Sequence, residues 1–249
     1  TDDEKGYWFE RAIRCLGALD RLSELEPRLT ILGDSIEHRR LRAAYWNACR
    51  EVEKTLAIAK DLVREPGELI DHVNLIHLYS RQCMWSEVIS SADACLRRFA
   101  DAPAEVADAL VCAQLTLNNE PAAILESLQT YQPAYKRDGM LDNYYARCLS
   151  VYGVVGEYQK AFDASECLWQ RHPTAQLLMQ RAHLQFLLGE TPRALEILKQ
   201  GVDQGYKIPQ ILISIAQHSL SQNREEAFAW AQQAIDLFPA DPQVRASAM

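Results

Sequence analysis

The stretch GEYQKAFDASECLWQRHP, Gly156 to Pro173, decides the fold of this chain. Small and apolar residues recur in it at helical spacing, as at Tyr158, Ala161 and Phe162. A glycine supplies the left-handed conformation that ends a helix, and a helix cannot continue through a proline. The stretch therefore predicts the end of one helix followed by the whole of a second one.

The same spacing returns further along the chain. Gly189 lies 33 residues after Gly156, and Ala194 and Ala227 follow Ala161 at steps of 33 residues. An alanine at a fixed point of a helix lets a neighbouring helix approach closely. Three successive units in one register predict a repeated pair of helices rather than a site.

The pattern also extends towards the N-terminus. Trp85 takes the place of Tyr158, Val88 takes the place of Ala161, and Ala123 follows Val88 after 35 residues. The longer step to the next unit places extra residues in 135–141. The register predicts five units, with boundaries at 69–103, 104–141, 142–174, 175–207 and 208–240.

This pattern resembles the tetratricopeptide repeat, a family of about 34-residue units that each form two antiparallel helices. The resemblance covers residues 69–240 and implies an all-α fold, a right-handed superhelix of stacked helix pairs. The matching positions, which we expect to pack helices together, are Trp85, Ala123, Tyr152, Gly156, Tyr158, Ala161, Ala182, Gly189, Ala194, Ala227 and Ala234.

Residues 1–68 predict an atypical leading repeat or cap. We expect one amphipathic helix from Tyr7 that ends at Pro27. A second, long helix runs to about Arg64, before Glu65-Pro66-Gly67 stops it. Residues 241–249 are interpreted as a C-terminal tail or the start of a next helix.

The resemblance implies that the first helix of each unit lines a concave groove. The relatives that clamp a chaperone's C-terminal carboxylate use Lys and Asn here, whereas this chain has Val73, His77, Ala146 and Arg147. That partner class is therefore not expected. The candidate groove residues are Asn74, His77, Arg81, Asp108, Cys112, Arg147, Ser150, Gln176, Gln180, His183, Leu212 and Ala216.

No sequence motif for catalysis or cofactor binding is present. The phosphate-binding patterns GxxxxGK[ST] and GxGxxG do not occur, and neither does the zinc motif HExxH. Cys167 and His172 are better interpreted as a core residue and a helix end than as a catalytic pair. The sequence predicts a protein that is not an enzyme and needs no cofactor and no metal.

Composition narrows the class of partner. The net charge of −8 disfavours nucleic-acid binding, since phosphate neutralisation needs clustered Lys and Arg. No apolar run approaches the roughly 18 residues that predict a membrane span. The seven cysteines show no CxxC spacing, which predicts reduced and mostly buried thiols in a cytoplasmic protein.

The sequence thus predicts a non-catalytic scaffold that binds a protein or peptide through its groove or its terminal helices. One alternative comes from WFERAIRCLGALDRLSELEPRLTILGDS, residues 8–35, which is similar to helical-repeat regions preceding caspase-like CHAT protease domains in bacteria. In that case the chain is a regulatory region of a larger enzyme. A helical-repeat RNA-binding module is a third, disfavoured alternative, and the sequence does not predict the oligomeric state.

Overall fold

The computed structural model describes residues 2–64 and 67–247, and within them the chain is all-α. The predicted fold class, a solenoid of consecutive antiparallel helix pairs, is confirmed. The described residues form fourteen α-helices and one 3-10 helix (Leu22–Ile31). The α-helices are α1 Asp2–Ala18, α2 Ile36–Ala48, α3 Val52–Arg64, α4 Leu69–Arg81, α5 Trp85–Arg98, α6 Ala104–Thr116, α7 Pro121–Arg137, α8 Leu141–Val155, α9 Tyr158–Arg171, α10 Ala175–Leu187, α11 Thr191–Asp203, α12 Pro209–Ser219, α13 Arg224–Leu237 and α14 Pro242–Ser247.

The helices group into two compact units, residues 1–119 (unit 1) and 120–249 (unit 2). In unit 1, α2 packs on α3, α4 packs on α5, and α6 packs on both α4 and α5. In unit 2, the pairs are α8 with α9, α10 with α11, and α12 with α13, and α14 packs on the last pair. Each pair also contacts the next one, so an apolar helix face is buried by stacking on its neighbour.

Five turns from a first to a second helix share one geometry, whereas in the turn between α12 and α13 Asn223 donates to the carbonyl of Ser219, four residues back. A left-handed residue follows the first helix, and the next residue donates its N–H to the carbonyl five residues back, which satisfies an orphan carbonyl of the helix end. The left-handed residues are Arg50, Cys83, Asn118, Gly156 and Gly189. The bonds are Glu51 to Trp46, Met84 to Tyr79, Asn119 to Gln114, Glu157 to Tyr152 and Glu190 to Gln185, all between 2.9 and 3.0 Å.

The fourth residue of each second helix is buried. The size of a buried side chain limits how closely a neighbouring helix can approach. The prediction that Ala123 packs between helices is wrong, because its side chain is exposed and Ile124 is buried instead. The reason is that α7 begins at Pro121, which puts Ile124 at the fourth position. The buried residues at this position are Thr55, Val88, Ile124, Ala161, Ala194 and Ala227.

The N-terminal helices differ from the sequence prediction. The first helix does not reach Pro27: it ends at Ala18, the chain turns at the left-handed Asp20, and Pro27 lies inside the 3-10 helix. The expected long second helix is two helices, because Arg50 adopts φ 61° and reverses the chain between α2 and α3. Helix α3 ends at Arg64, and the predicted stop at Glu65 and Pro66 lies outside the described residues.

The prediction that the cysteines are mostly buried is also wrong. Only Cys95 and Cys148 are buried, whereas Cys15 and Cys83 are exposed. Cys83 is exposed because it occupies a left-handed turn position rather than a helix face. All seven thiols are free of disulfide bonds.

Candidate functional site

Helix α4 carries the three groove residues predicted for the first unit on one exposed face. Asn74, His77 and Arg81 follow each other at helical spacing, and all three are exposed. The other face of the helix is buried in the core through Val73 and Ile76, among others. The apolar pattern of α4 therefore places these three polar side chains together at the surface.

The three residues share a cavity of about 240 Å³ with residues of α2 and α3. We call it the polar cavity. Ala43 and Ala44 of α2 have small side chains, so the polar groups of α4 and Asn47 of α2 remain accessible. Its lining residues are Arg40, Ala43, Ala44, Asn47, Thr55, Ala59, Leu62, Asp71, Asn74, His77, Leu78 and Arg81.

A bidentate ion pair stands at the wall of the polar cavity. Arg40 donates from Nε to Oδ1 and from Nη2 to Oδ2 of Asp71, both at 2.7 Å. Its Nη2 also lies 2.9 Å from Oε2 of Glu68. Burial alone would raise the pKa of Asp71, but the hydrogen bonds and the positive charge of Arg40 bring that pKa below its ordinary value. The pair therefore stays ionised and fixes α2 against α4.

Two other basic side chains at the polar cavity, His77 and Arg81, are more accessible. His77 Nε2 lies 3.8 Å from Oε2 of Glu105 on α6, and both side chains are about half exposed. Arg81 is exposed and has no ion pair within the part of the chain that the structure describes. The Arg81 guanidinium is thus available to an anionic group of a bound molecule.

A second cavity, of about 560 Å³, adjoins the first and shares Arg40, Ala44 and Asn74 with it. It extends the accessible surface to Tyr7 and Glu10 of α1. The two cavities together form a continuous surface over α1, α2 and α4, which we call the unit 1 groove.

Two predicted groove residues, Asp108 and Cys112, lie outside this surface. They are half-buried on α6, where the Cys112 thiol lies 3.9 Å from Oδ2 of Asp108. Neither lines the polar cavity or the cavity that adjoins it.

In unit 2 the predicted groove residues lie on the first helices of two consecutive pairs. Ser150 on α8 is exposed and Arg147 is half-buried. On α10 all three predicted side chains, Gln176, Gln180 and His183, are exposed. These residues line neither of two cavities in unit 2, of about 380 and 460 Å³.

On α12 the expectation for Leu212 is wrong, because its side chain is fully buried in the core of unit 2. The surface of α12 instead carries Gln210, Ile213 and Gln217, which line a cavity of about 460 Å³ with residues of α10 and α14. Ala216 is half-buried and lines a separate cavity of about 380 Å³. The prediction chose Leu212 where the neighbouring Ile213 lies at the surface, since apolar residues occur on both sides of α12.

The Cys167 and His172 pair is not brought together by a hydrogen bond. His172 ends α9 and lies 2.7 Å from Oδ2 of Asp142, which Arg171 also contacts. The neighbour of Cys167 is Tyr145, whose pKa is raised, first by burial and then by that thiol. The described residues hold no group of three His, Cys, Asp or Glu side chains able to bind a metal ion.

Sequence reasoning missed Arg40 and Asn47 as members of the site. Both belong to α2, which was interpreted as part of one long helix. The signal that could have found them is the step of 33 residues from Thr55 to Val88, which marks α2 and α3 as another pair.

Comparison with known proteins places the fold. No protein-family model matches the chain, and no curated protein matches it either. Several solved structures do match the chain. A tetratricopeptide repeat protein from Parabacteroides merdae is 12% identical over 98% of this chain and 97% of that one, with a TM-score of 0.57. The C-terminal part of a TPR repeat-containing protein from Cytophaga hutchinsonii reaches 0.64, at 12% identity over 83% and 82%.

The chain has the tetratricopeptide repeat fold. A third similar structure, PilW, described as a type IV pilus biogenesis factor, is 13% identical over 87% of this chain and 100% of that chain, with a TM-score of 0.54. The fold is generally that of protein–protein interaction modules and is typically non-catalytic. No helix within the described residues is both long and apolar enough to cross a membrane.

Proposed function

We propose that this protein is a protein-interaction scaffold whose unit 1 groove binds an extended peptide segment of a partner. The observation that carries the proposal is the convergence of Asn47, Asn74, His77 and Arg81 on one cavity. These side chains come from α2 and α4, the first helices of two consecutive pairs. In repeat proteins of this kind, stacked units create extended binding surfaces.

The chemistry of the polar cavity favours an extended peptide. An extended backbone leaves its N–H and C=O groups unpaired, and these groups need partners when they are buried. Asn47 and Asn74 each offer an amide that both donates and accepts hydrogen bonds. Arg81 adds a cation, which favours a peptide with an acidic side chain at the matching position.

The ion pair of Arg40 and Asp71 supports this surface without belonging to the contact. It joins α2 to α4 with two hydrogen bonds, so the distance between Asn47 and Asn74 is held before a peptide arrives. A surface held in its binding geometry loses less entropy on association.

The proposal is tested by selecting peptides from a random-sequence display library on the full chain. We expect the selected peptides to share an acidic residue and to bind in a one-to-one complex. Arg81→Ala should weaken binding about tenfold or more, since a hydrogen bond to a charged group contributes about 1.5–3 kcal/mol. Asn74→Ala should weaken binding about threefold or more, since a hydrogen bond between neutral groups contributes about 0.5–1.5 kcal/mol. The measurement is isothermal titration calorimetry.

The matched control is Arg97→Ala, which removes an exposed arginine of α5 that lines neither cavity of the groove. It should leave the affinity within about twofold. Peptides that bind equally to the Asn74→Ala, Arg81→Ala and wild-type chains would show that the unit 1 groove is not the binding surface.

The cytoplasm stays our proposed compartment, and seven free thiols in one chain support it. The regulatory role in a CHAT-type protease stays a prediction. Reading the gene past the codon of Met249 tests it, because a following domain with a His-Cys pair is what that role requires.

A further inference from the structure

Unit 2 has an apolar cavity of about 380 Å³ between its last three helices, α12, α13 and α14. We call it the terminal cavity. Gln217 and Arg224 are the two polar residues that line it, and the other lining residues are aliphatic or aromatic. Small-molecule sites in proteins have volumes of about 300–1,000 Å³ and combine apolar walls with a few polar groups. The terminal cavity has both properties.

The terminal cavity is a cleft between helices and not the flat face of one helix. Ile213 and Leu220 line it from α12, Phe228 lines it from α13, and Val244 lines it from α14. Val244 is 2% exposed, and α14 packs on both α12 and α13. A molecule in the cavity therefore meets apolar side chains of three helices and gives up contact with water on several sides.

The cavity includes a position where α13 has a smaller side chain than the preceding second helix. Ala231 lies 33 residues after Leu198 of α11, and the side chain of Leu198 is fully buried. Ala227 and Ala234 line the cavity on the same face of α13 as Ala231. The atoms that a leucine would add at position 231 are absent, so this space is open to another molecule.

Arg224 is the charged residue of the terminal cavity. It is exposed in the first turn of α13, and its side chain has no hydrogen bond or ion pair within the part of the chain that the structure describes. Arg224 precedes Ala227 by three residues and Ala231 by seven, so it shares their face of the helix. The cavity therefore has a cation at one end of an apolar floor.

The neighbours of Arg224 leave its charge available. Glu225 and Glu226 follow it in the chain, but neither lines the cavity, and Glu226 is paired with Lys199 at 2.5 Å. Gln217 lies near the end of α12, close in sequence to the turn that leads into α13. Its amide can donate a hydrogen bond to an oxygen atom of a ligand.

We propose that the terminal cavity binds a small monocarboxylate with an unbranched apolar chain. The carboxylate accepts hydrogen bonds from the Arg224 guanidinium, which matches the two carboxylate oxygens in geometry and charge. The chain lies over Ala227, Ala231 and Ala234, which span about 10 Å along α13. Each methylene group that leaves water there adds to the affinity. An amine with the same chain brings a second positive charge to Arg224 and is disfavoured.

The test is isothermal titration calorimetry of the full chain with two probes that share one apolar chain. Decanoate and decylamine carry opposite charges at neutral pH, and both are used below the concentration at which they form micelles. We expect decanoate to bind in a one-to-one complex, about tenfold or more tightly than decylamine, because only decanoate forms charge-assisted hydrogen bonds with the guanidinium.

Three substitutions locate the site. Arg224→Gln should weaken decanoate binding about tenfold or more and keep the melting temperature, since Arg224 is exposed. Ala231→Leu introduces the residue that α11 has at this position and should also weaken decanoate binding, because leucine takes the space of the ligand chain. Lys207→Gln is the control: it removes an exposed cation of unit 2 that does not line the cavity, and the affinity should stay within about twofold.

Several results would overturn the proposal. Equal binding of decanoate and decylamine would show a nonspecific apolar contact, and full affinity of both Arg224→Gln and Ala231→Leu would place the ligand elsewhere. If the chain dimerises in sedimentation and does not bind decanoate, a second copy occupies the cavity. Asn74→Ala should not affect decanoate binding, so failure here leaves the peptide site of unit 1 a separate question.

Discussion

Phe228 and Phe162 occupy the same position of two helices, α13 and α9, yet Phe228 is 71% exposed and Phe162 is 3% exposed. Helix α10 follows α9 and packs on it, and Phe162 belongs to the core to which α10 contributes Leu178 and Ala182. After α13 comes α14, whose described part has six residues. A phenylalanine at this position is therefore buried by the next pair and not by its own.

This relationship predicts that replacing phenylalanine with alanine lowers the stability strongly at Phe162 and hardly at all at Phe228. Phe162→Ala should lower the free energy of unfolding by about 3–5 kcal/mol, because it removes a buried aromatic side chain and leaves a cavity. Phe228→Ala should stay within about 0.5 kcal/mol of the wild type. Urea unfolding followed by circular dichroism measures both, and equal losses would contradict the stacking account.

The fourth position of the second helix offers a similar pair. Ala161→Trp should destabilise the chain by about 1–3 kcal/mol or more, because Ala161 is fully buried and the larger ring overpacks the contact. Ala123→Trp should be tolerated, since Ala123 is exposed. The melting temperatures of the two variants provide the measurement. A lower melting temperature for Ala123→Trp would show that Ala123, and not Ile124, is the buried residue of α7.

Substitutions at two left-handed turn residues should change the stability in opposite directions. Arg50→Gly should stabilise the chain by about 1 kcal/mol, because a side chain at φ 61° is strained and glycine is not. Gly189→Ala should cost a similar amount, and it does so through the backbone alone, since no atom lies within 4 Å of the added Cβ. Both are measured by chemical unfolding, and an unchanged stability of Gly189→Ala would refute the strain argument.

A buried amide predicts a stabilising substitution. Gln185 on α10 is fully buried, and neither its amide oxygen nor its amide nitrogen has a hydrogen-bond partner within the described part of the chain. Gln185→Met keeps the shape of the side chain and removes the unsatisfied groups, so we expect a gain of about 1–3 kcal/mol. The exposed control Gln180→Met should change little. A loss at Gln185 would indicate an ordered water that bonds the amide.

The buried ion pair of unit 1 predicts acid sensitivity. The folded-state pKa of Asp71 lies below its unfolded value of about 3.9, so its contribution is complete above that pH and is lost as the pH falls through the folded pKa. Asp71→Asn should therefore be less stable than the wild type at pH 7 and should lose less stability between pH 5 and pH 2. Asp61→Asn, which alters an exposed pair with Arg64, should retain the wild-type pH dependence. Unfolding midpoints across this pH range provide the measurement.

The pairs of α8 with α9 and of α10 with α11 could be predicted from the sequence, since a glycine in the turn and an alanine at the fourth position of the second helix mark both. The pair of α2 and α3 could not, because Arg50 replaces the glycine and Thr55 replaces the alanine. The backbone tolerates both, so the same turn forms from residues that carry no turn signal. Residue spacing therefore does not predict the pair of α2 and α3, although the pair has the same turn geometry as the others.

The candidate site shows the same limit at a finer scale. Asn74, His77 and Arg81 were found because a polar face stands out against the apolar face of α4. Leu212 was misplaced because Ile213 lies on the exposed side of α12 between Gln210 and Gln217, so the polar and apolar faces of this helix are not cleanly separated. The contribution of Arg40 depends on a contact with Asp71, 31 residues later, which no local pattern contains.

The turns that close the helix pairs have one further consequence. The closing bond joins backbone atoms, so residues as different as Arg50, Cys83 and Gly156 occupy the left-handed position, with different strain. The step between units 142–174, 175–207 and 208–240 is constant at 33 residues. A gene segment for one such module could be duplicated or deleted in frame, and the junctions would still join like to like. The number of modules is thus open to change by recombination, while each module keeps its own surface chemistry.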